Sequence, residues 1–155
     1  MSTKKTKDYL FVGLQLLLFL AYLLLPAYRL EFIPAPVQYL GFVILVLGGT
    51  IMIRGLWQLG PALTIFPSPK KDGALRTSGL YSRMRHPIYT GVILGALGGA
   101  ILLLDMTKLL ISLALWCLFY YKSRYEEKRL QRHYGEDYRL YQRRVGRFFP
   151  KGKLK

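Results

Sequence analysis

Two short runs of this 155-residue chain hold most of the side chains able to do chemistry. The first is Gly79-Leu80-Tyr81-Ser82-Arg83-Met84-Arg85-His86-Pro87-Ile88-Tyr89-Thr90-Gly91. It places cations, an imidazole and two phenols at the start of a helix, because Pro87 suits a first helical position. Helix N-termini and arginine favour carboxylate or phosphate, so the run could dock the anionic part of a ligand. Arg85 and His86 could equally anchor a helix among lipid headgroups. The second run is Glu126-Glu127, followed by Leu130, Gly135, Tyr138, Tyr141 and Val145 to Pro150. Adjacent acids among basic residues are either surface ion pairs or a site for an ammonium group or a ribose diol. Neighbours on a helix point about 100° apart, so only one of the pair is expected to face a given site. His86, His133 and Cys117 offer no metal-ligand spacing, and none is expected. A single cysteine in an apolar run suggests packing rather than reactivity.

These runs must be positioned by the apolar segments around them. Hydrophobic residues make up 52% of the chain, yet its formal charge is +15, so the two properties must be segregated along it. Residues 10–28, 37–57, 88–104 and 107–121 are nearly free of charge and approach the roughly 17–25 residues that cross a bilayer as a helix. The last two are short and cross only if nearly perpendicular to the membrane or extended by flanking residues. The expected fold is therefore an all-α integral membrane bundle of about four transmembrane helices. An amphipathic, cytoplasmic C-terminal helical extension follows from Lys122 onward, where Glu and Lys/Arg alternate at helical spacing until Gly135 ends the helix. Residues 1–155 are expected to form one domain.

Lys and Arg number 3 before the first span, 1 in the first loop, 5 in the second loop and 12 from Lys122 to the end. The positive-inside rule then places both termini and the second loop in the cytoplasm. Topology and attraction to anionic membrane lipids account for the charge, so nucleic acid is not an expected partner. The first span is read as a membrane helix rather than a signal peptide, because no small-residue cleavage pattern follows it. Pro26, Pro34 and Pro36 mark a short outer connection, and residues 60–79 read as a loop. Gly91, Gly95 and Gly99 recur every four residues, which is either a helix–helix seam or room for a flat ligand against backbone.

The pattern Arg85-His86-Pro87-x-Tyr89-x-Gly91, a hydrophobic hairpin, Glu126-Glu127-x-x-Leu130, Gly135-x-x-Tyr138-x-x-Tyr141 and Arg147-Phe148-Phe149-Pro150 resembles the isoprenylcysteine carboxyl methyltransferase family of membrane enzymes. The resemblance covers about residues 73–150. It implies S-adenosyl-L-methionine as cofactor, held between the Arg-His-Pro loop and the helix carrying the acids. By the same resemblance Gly73, Ala74, Leu75 and Arg76 border the cofactor, and Tyr81, Arg85, His86, Pro87, Ile88, Tyr89 and Gly91 wrap it. Glu126 matches the family's cofactor-binding acid, with Glu127 beside it. The family's substrate-contacting arginine falls at Lys122, which keeps the charge and loses the bidentate fork. With two spans before the shared region, the chain looks like the short prokaryotic relatives, which implies a multi-pass protein of a prokaryotic plasma membrane.

Methyl transfer from a sulfonium is an in-line displacement, in which alignment is the protein's main task. The expected acceptor is lipid-like or amphiphilic and carries a carboxylate or thiol. An amine acceptor would need to give up a proton, for which Glu127, His86 or a tyrosine are the candidates. Phospholipid or amine N-methylation is the nearer alternative, a nicotinamide-dependent sterol reductase is disfavoured by length, and a non-catalytic membrane scaffold is the alternative from another class. Oligomeric state is not legible.

Overall fold

The computed structural model describes residues 3–31, 34–60 and 75–151. Five α-helices follow one another: α1 (Thr3–Leu24), α2 (Ala35–Leu59), α3 (Pro87–Leu102), α4 (Met106–Tyr134) and α5 (Glu136–Arg144), with a 3-10 turn at Gly79–Ser82 before α3. The all-α bundle expected from the sequence is the observed architecture. α1 starts and stops earlier than the 10–28 span, because Pro26 biases the residue before it away from helical geometry.

α1 and α2 are long and apolar enough to cross a membrane, whereas α3 is a shorter apolar helix of 16 residues. At 1.5 Å per residue, α3 spans about 24 Å, just under the thickness of a hydrocarbon core. Much of the apolar surface of α1 and α2 faces outward, with Leu24 76% and Trp57 84% exposed. In water such surface would be costly; against lipid tails it costs nothing. Cys117 is exposed too, so the expectation that it packs inside the bundle is not met.

α2 and α3 pack backbone against backbone. A Cβ on Gly48 would stand 2.4 Å from the Gly95 nitrogen, and one on Gly98 would stand 2.3 Å from the Leu45 nitrogen. Gly41, Gly48 and Gly55 are the buried residues of α2, and Gly91 and Gly98 meet them from α3. The four-residue stripe read from the sequence is thus only partly the seam: Gly99 turns instead toward the Tyr22 hydroxyl of α1. Steps of four residues rotate about 40° around a helix, whereas steps of seven rotate only about 20° the other way, so the heptad-spaced glycines share a face for longer.

At the α3–α4 turn, Asp105 is 2% exposed and caps α4. Its carboxylate accepts from the backbone of Thr107 (3.0 Å), Lys108 (3.3 Å) and Tyr28 (3.3 Å) and from the Lys108 ammonium (2.7 Å). The α3–α4 turn is thereby stapled to the connection after α1, where Leu30 N–H also donates to Leu104 O. Asp105→Ala removes the cap and leaves buried donors unmet. It is expected to cost about 2 kcal/mol, read as a lower thermal midpoint in detergent.

Gly135 ends α4 with φ 59° and turns the chain into α5, so the polar extension is two helices folded on each other.

Candidate functional site

The two sequence runs meet at the polar end of the bundle, around Glu127. This side chain lies on α4 and is 4% exposed. Its Oε1 accepts from Arg85 Nε (3.0 Å) and Nη2 (2.8 Å) and from Arg147 Nε (3.1 Å), and lies 3.2 Å from His86 Nε2. Its Oε2 accepts from Arg147 Nη2 (2.7 Å) and Gln142 Nε2 (3.2 Å). Burial alone would raise the Glu127 pKa, but the hydrogen bonds from His86 and Arg147 and the charge of Arg85 outweigh it and hold the carboxyl below the ordinary range. Arg147 is driven the other way, above its ordinary value, chiefly by its hydrogen bonds to Glu127.

That environment suits Glu127 poorly to the general-base role considered for it. A base must have a free lone pair and a pKa near the working pH, and Glu127 has neither. Glu127 is a structural knot between α4, the Arg85 loop and the C-terminal segment.

Glu126 stands apart. Its side chain is 24% exposed, and its Oε2 accepts from the Tyr89 hydroxyl at 2.9 Å and lies 3.8 Å from His86 Nδ1. His86 is therefore bracketed by both acids, of which only Glu126 keeps an open side. A 100° separation divides two short side chains, but an imidazole with nitrogens on opposite edges reaches both. Tyr89 stacks on His86 at 5.4 Å with planes 3° apart and on Phe119 at 4.7 Å.

The Arg85 loop is shaped by the chain's last described segment. Arg85 N–H donates to Gly146 O (2.9 Å), His86 N–H to Arg147 O (3.0 Å), and the Thr90 hydroxyl to Phe148 O (2.9 Å). Arg85 Nη1 also donates to Gln142 O and Val145 O. Gly146 permits the close turn of this segment on itself, since a Cβ there would overlap the Phe149 carbonyl. Tyr141 donates to Tyr81 O at 2.6 Å, and Tyr81 to Gly55 O at 3.2 Å, which links α5, the 3-10 turn and α2. Burial raises the pKa of the Tyr141 phenol to about 12, and that of Tyr81 further, so neither is a base at neutral pH. Among the described residues, the Tyr138 hydroxyl is buried without a hydrogen-bond partner.

Of the residues singled out in the sequence, Arg85, His86, Tyr89, Glu126 and Glu127 are joined by contacts into one cluster, Tyr81 is bonded instead to Gly55 and Tyr141, and Pro87 and Ile88 begin the adjoining helix. Gly91 is not part of it. It faces α2, where a Cβ would stand 2.5 Å from the Met52 nitrogen, so it belongs to the helix seam. Leu75 packs beneath Tyr138 and Tyr141, and Arg76 is exposed. Gly73 and Ala74 lie outside the described residues. Lys122 is 2% exposed, with its ammonium donating to Gln15 Oε1 at 2.6 Å and lying 5.4 Å from the Tyr89 ring centroid. Arg147, Gln142 and Gln15 were missed. Arg147 had a signal, its place in the Arg-Phe-Phe-Pro motif; the two glutamines had none.

The donor set fits the cofactor that the resemblance implies. Glu126 is an anchored, partly open carboxylate with acceptor capacity beyond the Tyr89 bond, suited to an ammonium group or a ribose diol. Arg76 is an exposed cation suited to a carboxylate.

Residues 37–137 match the family model described as phospholipid methyltransferase. The protein-S-isoprenylcysteine O-methyltransferase of Schizosaccharomyces pombe is 32% identical over 128 residues, covering 81% of this chain and 54% of that protein. The methanethiol S-methyltransferase of Pseudomonas deceptionensis is 35% identical over 86 residues, covering 54% of this chain and 31% of that protein. A solved structure of the eukaryotic intramembrane Ras methyltransferase ICMT superposes with a TM-score of 0.68 at 22% identity, over 95% of this chain and 50% of that one. That likeness establishes the fold. The chain spans about half the length of the curated relatives it matches.

Proposed function

The chain belongs to the phospholipid methyltransferase family of integral membrane proteins, and from that premise we propose that it is an S-adenosyl-L-methionine-dependent methyltransferase of a lipid-like or amphiphilic acceptor. The observation that carries this reading is the division within the acid pair: Glu127 is locked in a buried ion cluster, while Glu126 beside it stays partly open and fixed by Tyr89.

When bound, the cofactor supplies a methyl group on a sulfonium, a carbon already activated for displacement. The chain's own residues then bind, orient and exclude water. Glu126 would hold an ammonium or ribose diol, Arg76 would offer a cation to the cofactor's carboxylate, and Tyr89 presents a flat wall held between His86 and Phe119. The Arg85–Glu127–Arg147 cluster keeps the loop carrying His86 at a fixed distance from α4, the alignment that an in-line displacement requires.

Acceptor chemistry is read from the state of Glu127, one of the candidate bases among the described residues. A carboxylate or thiolate attacks without a base. A protonated amine requires one, and Glu127 is too acidic and too fully bonded to serve. That favours O- or S-methylation, the acceptor types named in the similar proteins, over the phospholipid N-methylation that the family description raises. Lys122, where the resemblance places the acceptor-contacting cation, is buried beside Tyr89 and suits an anionic headgroup at that end of the site.

Membrane depth supports the same placement. Tyr39 and Trp57 of α2 are both strongly exposed and eighteen residues apart. They are separated by about 27 Å of helix, close to a hydrocarbon core bounded by aromatic anchors. Glu126 lies about 7 Å of helix beyond Tyr121, which is exposed at the polar end of α4. With the basic residues inside, the site faces the cytoplasm.

Calorimetric titration of the detergent-purified protein with S-adenosylmethionine and S-adenosylhomocysteine tests the reading. Saturable binding of both is expected. Folded protein that binds neither would leave a membrane scaffold in its place.

A further inference from the structure

Gln15 is an amide within a run, Tyr9 to Leu25, that is otherwise apolar. An amide facing lipid must find a partner on a neighbouring helix. Its Oε1 accepts from the Lys122 ammonium at 2.6 Å. Asp8 and Tyr22 lie seven residues to either side, so all three share one face of α1. Asp8 accepts from Arg129 at 2.5 and 2.6 Å, Phe11 packs on Tyr125 with ring centroids 5.5 Å apart, and the Tyr22 hydroxyl donates to Ala96 O at 2.8 Å. The Asp8, Gln15 and Tyr22 contacts thus seat α1 in a single register, the first two on α4 and the third on α3. Its middle contact leads into the site: the Lys122 ammonium lies 5.4 Å from the centroid of Tyr89, whose hydroxyl holds Glu126.

We propose that Gln15 is a positioning residue, through which α1 holds the Lys122 ammonium against the Tyr89 ring and so fixes Tyr89 and Glu126. α1 lies outside residues 37–137, so this part of the site is supplied from beyond the segment that defines the family. The proposal rests on the reading of Glu126 as the cofactor's acid. Without Gln15 Oε1, the ammonium loses its short hydrogen bond to α1, its place over the Tyr89 ring is held less firmly, and the Tyr89 hydroxyl is freer to leave Glu126.

The test uses the full chain in detergent, with two readouts: the rate at which an amine-acylating reagent labels Lys122, followed by mass spectrometry, and the affinity for S-adenosylhomocysteine by calorimetry. In Gln15→Leu, labelling is expected to rise about tenfold and affinity to fall about fivefold, the scale set by one lost charge-assisted hydrogen bond and its indirect effect. Gln15→Glu, which keeps an acceptor for Lys122, is expected to restore both toward wild type. Unchanged labelling in Gln15→Leu overturns the positioning role, and faster labelling at unchanged affinity overturns the link to Glu126. A wild-type protein that binds no S-adenosylhomocysteine defeats the cofactor reading and the link to Glu126 with it, while labelling independently decides whether Gln15 holds Lys122.

Discussion

Glu127→Ala is expected to unfold the polar end of the protein, at a cost of about 3–5 kcal/mol, the scale for breaking a buried ion pair by removing one partner. The reason is arithmetic of charge rather than of packing. Glu127 is the carboxylate between Arg85 and Arg147, with His86 and Gln142 also directed at it. Removing it leaves two guanidinium groups facing each other in a site shielded from water. Glu127→Gln keeps the volume and loses the charge, so it should fall between the wild type and the alanine variant. The pH dependence has a definite sign. A carboxyl held below its ordinary 4.5 contributes stability that is fully present above that value and is lost as pH falls from 4.5 toward the folded pKa. The wild-type thermal midpoint should therefore drop steeply below about pH 4.5, and that of Glu127→Gln should fall less steeply over the same interval. A Glu127→Ala protein that melts like the wild type would show that the cluster is not what holds the Arg85 loop to α4.

Glu126→Ala should do the opposite, leaving the fold intact and removing the ligand. Its side chain is partly exposed and bonded only to Tyr89 among the described hydrogen-bond partners, so the unliganded thermal midpoint should stay within a few degrees of wild type. Affinity for S-adenosylhomocysteine should fall by about 10- to 100-fold, the loss of one hydrogen bond to a charged group. Glu126→Gln keeps an acceptor for the Tyr89 hydroxyl and so separates charge from geometry. If it binds like the wild type, a ribose diol is the group held there; if it binds like the alanine variant, an ammonium is. Unchanged affinity in Glu126→Ala would remove this acid from the site. The two neighbouring glutamates thus make opposite predictions, one in stability and one in binding.

Helix content, the apolar and basic segregation, the break at Gly135 and the membership of the family were all legible in the chain, because each depends on local pattern. A run of apolar residues needs a nonpolar solvent wherever it lies, and a glycine that takes φ 59° ends a helix in any context. Residue types at the site were legible for the same reason: Arg85, His86, Tyr89 and the two glutamates stand in a recurrent motif. The resemblance matched Glu126 to the cofactor-binding acid, but residue type and local order give no physical reason why the two glutamates should differ. Glu126 and Glu127 are the same residue type one position apart. Only the fold decides that the second points into Arg85 and Arg147 and the first toward an open edge, because the partners come from residues 42 positions before and 20 positions after Glu127. The seam between α2 and α3 was settled in the same way. Four-residue glycine spacing is visible in α3 alone, but the glycines that make contact are those left facing α2 after the helix has rotated. Gln15 carries the lesson furthest. In sequence it is one polar residue in a membrane helix, and it acquires a partner only when α1 is laid against α4, 107 positions away. Local chemistry is written in local order; the electrostatic state of a buried group belongs to whatever the tertiary structure brings beside it.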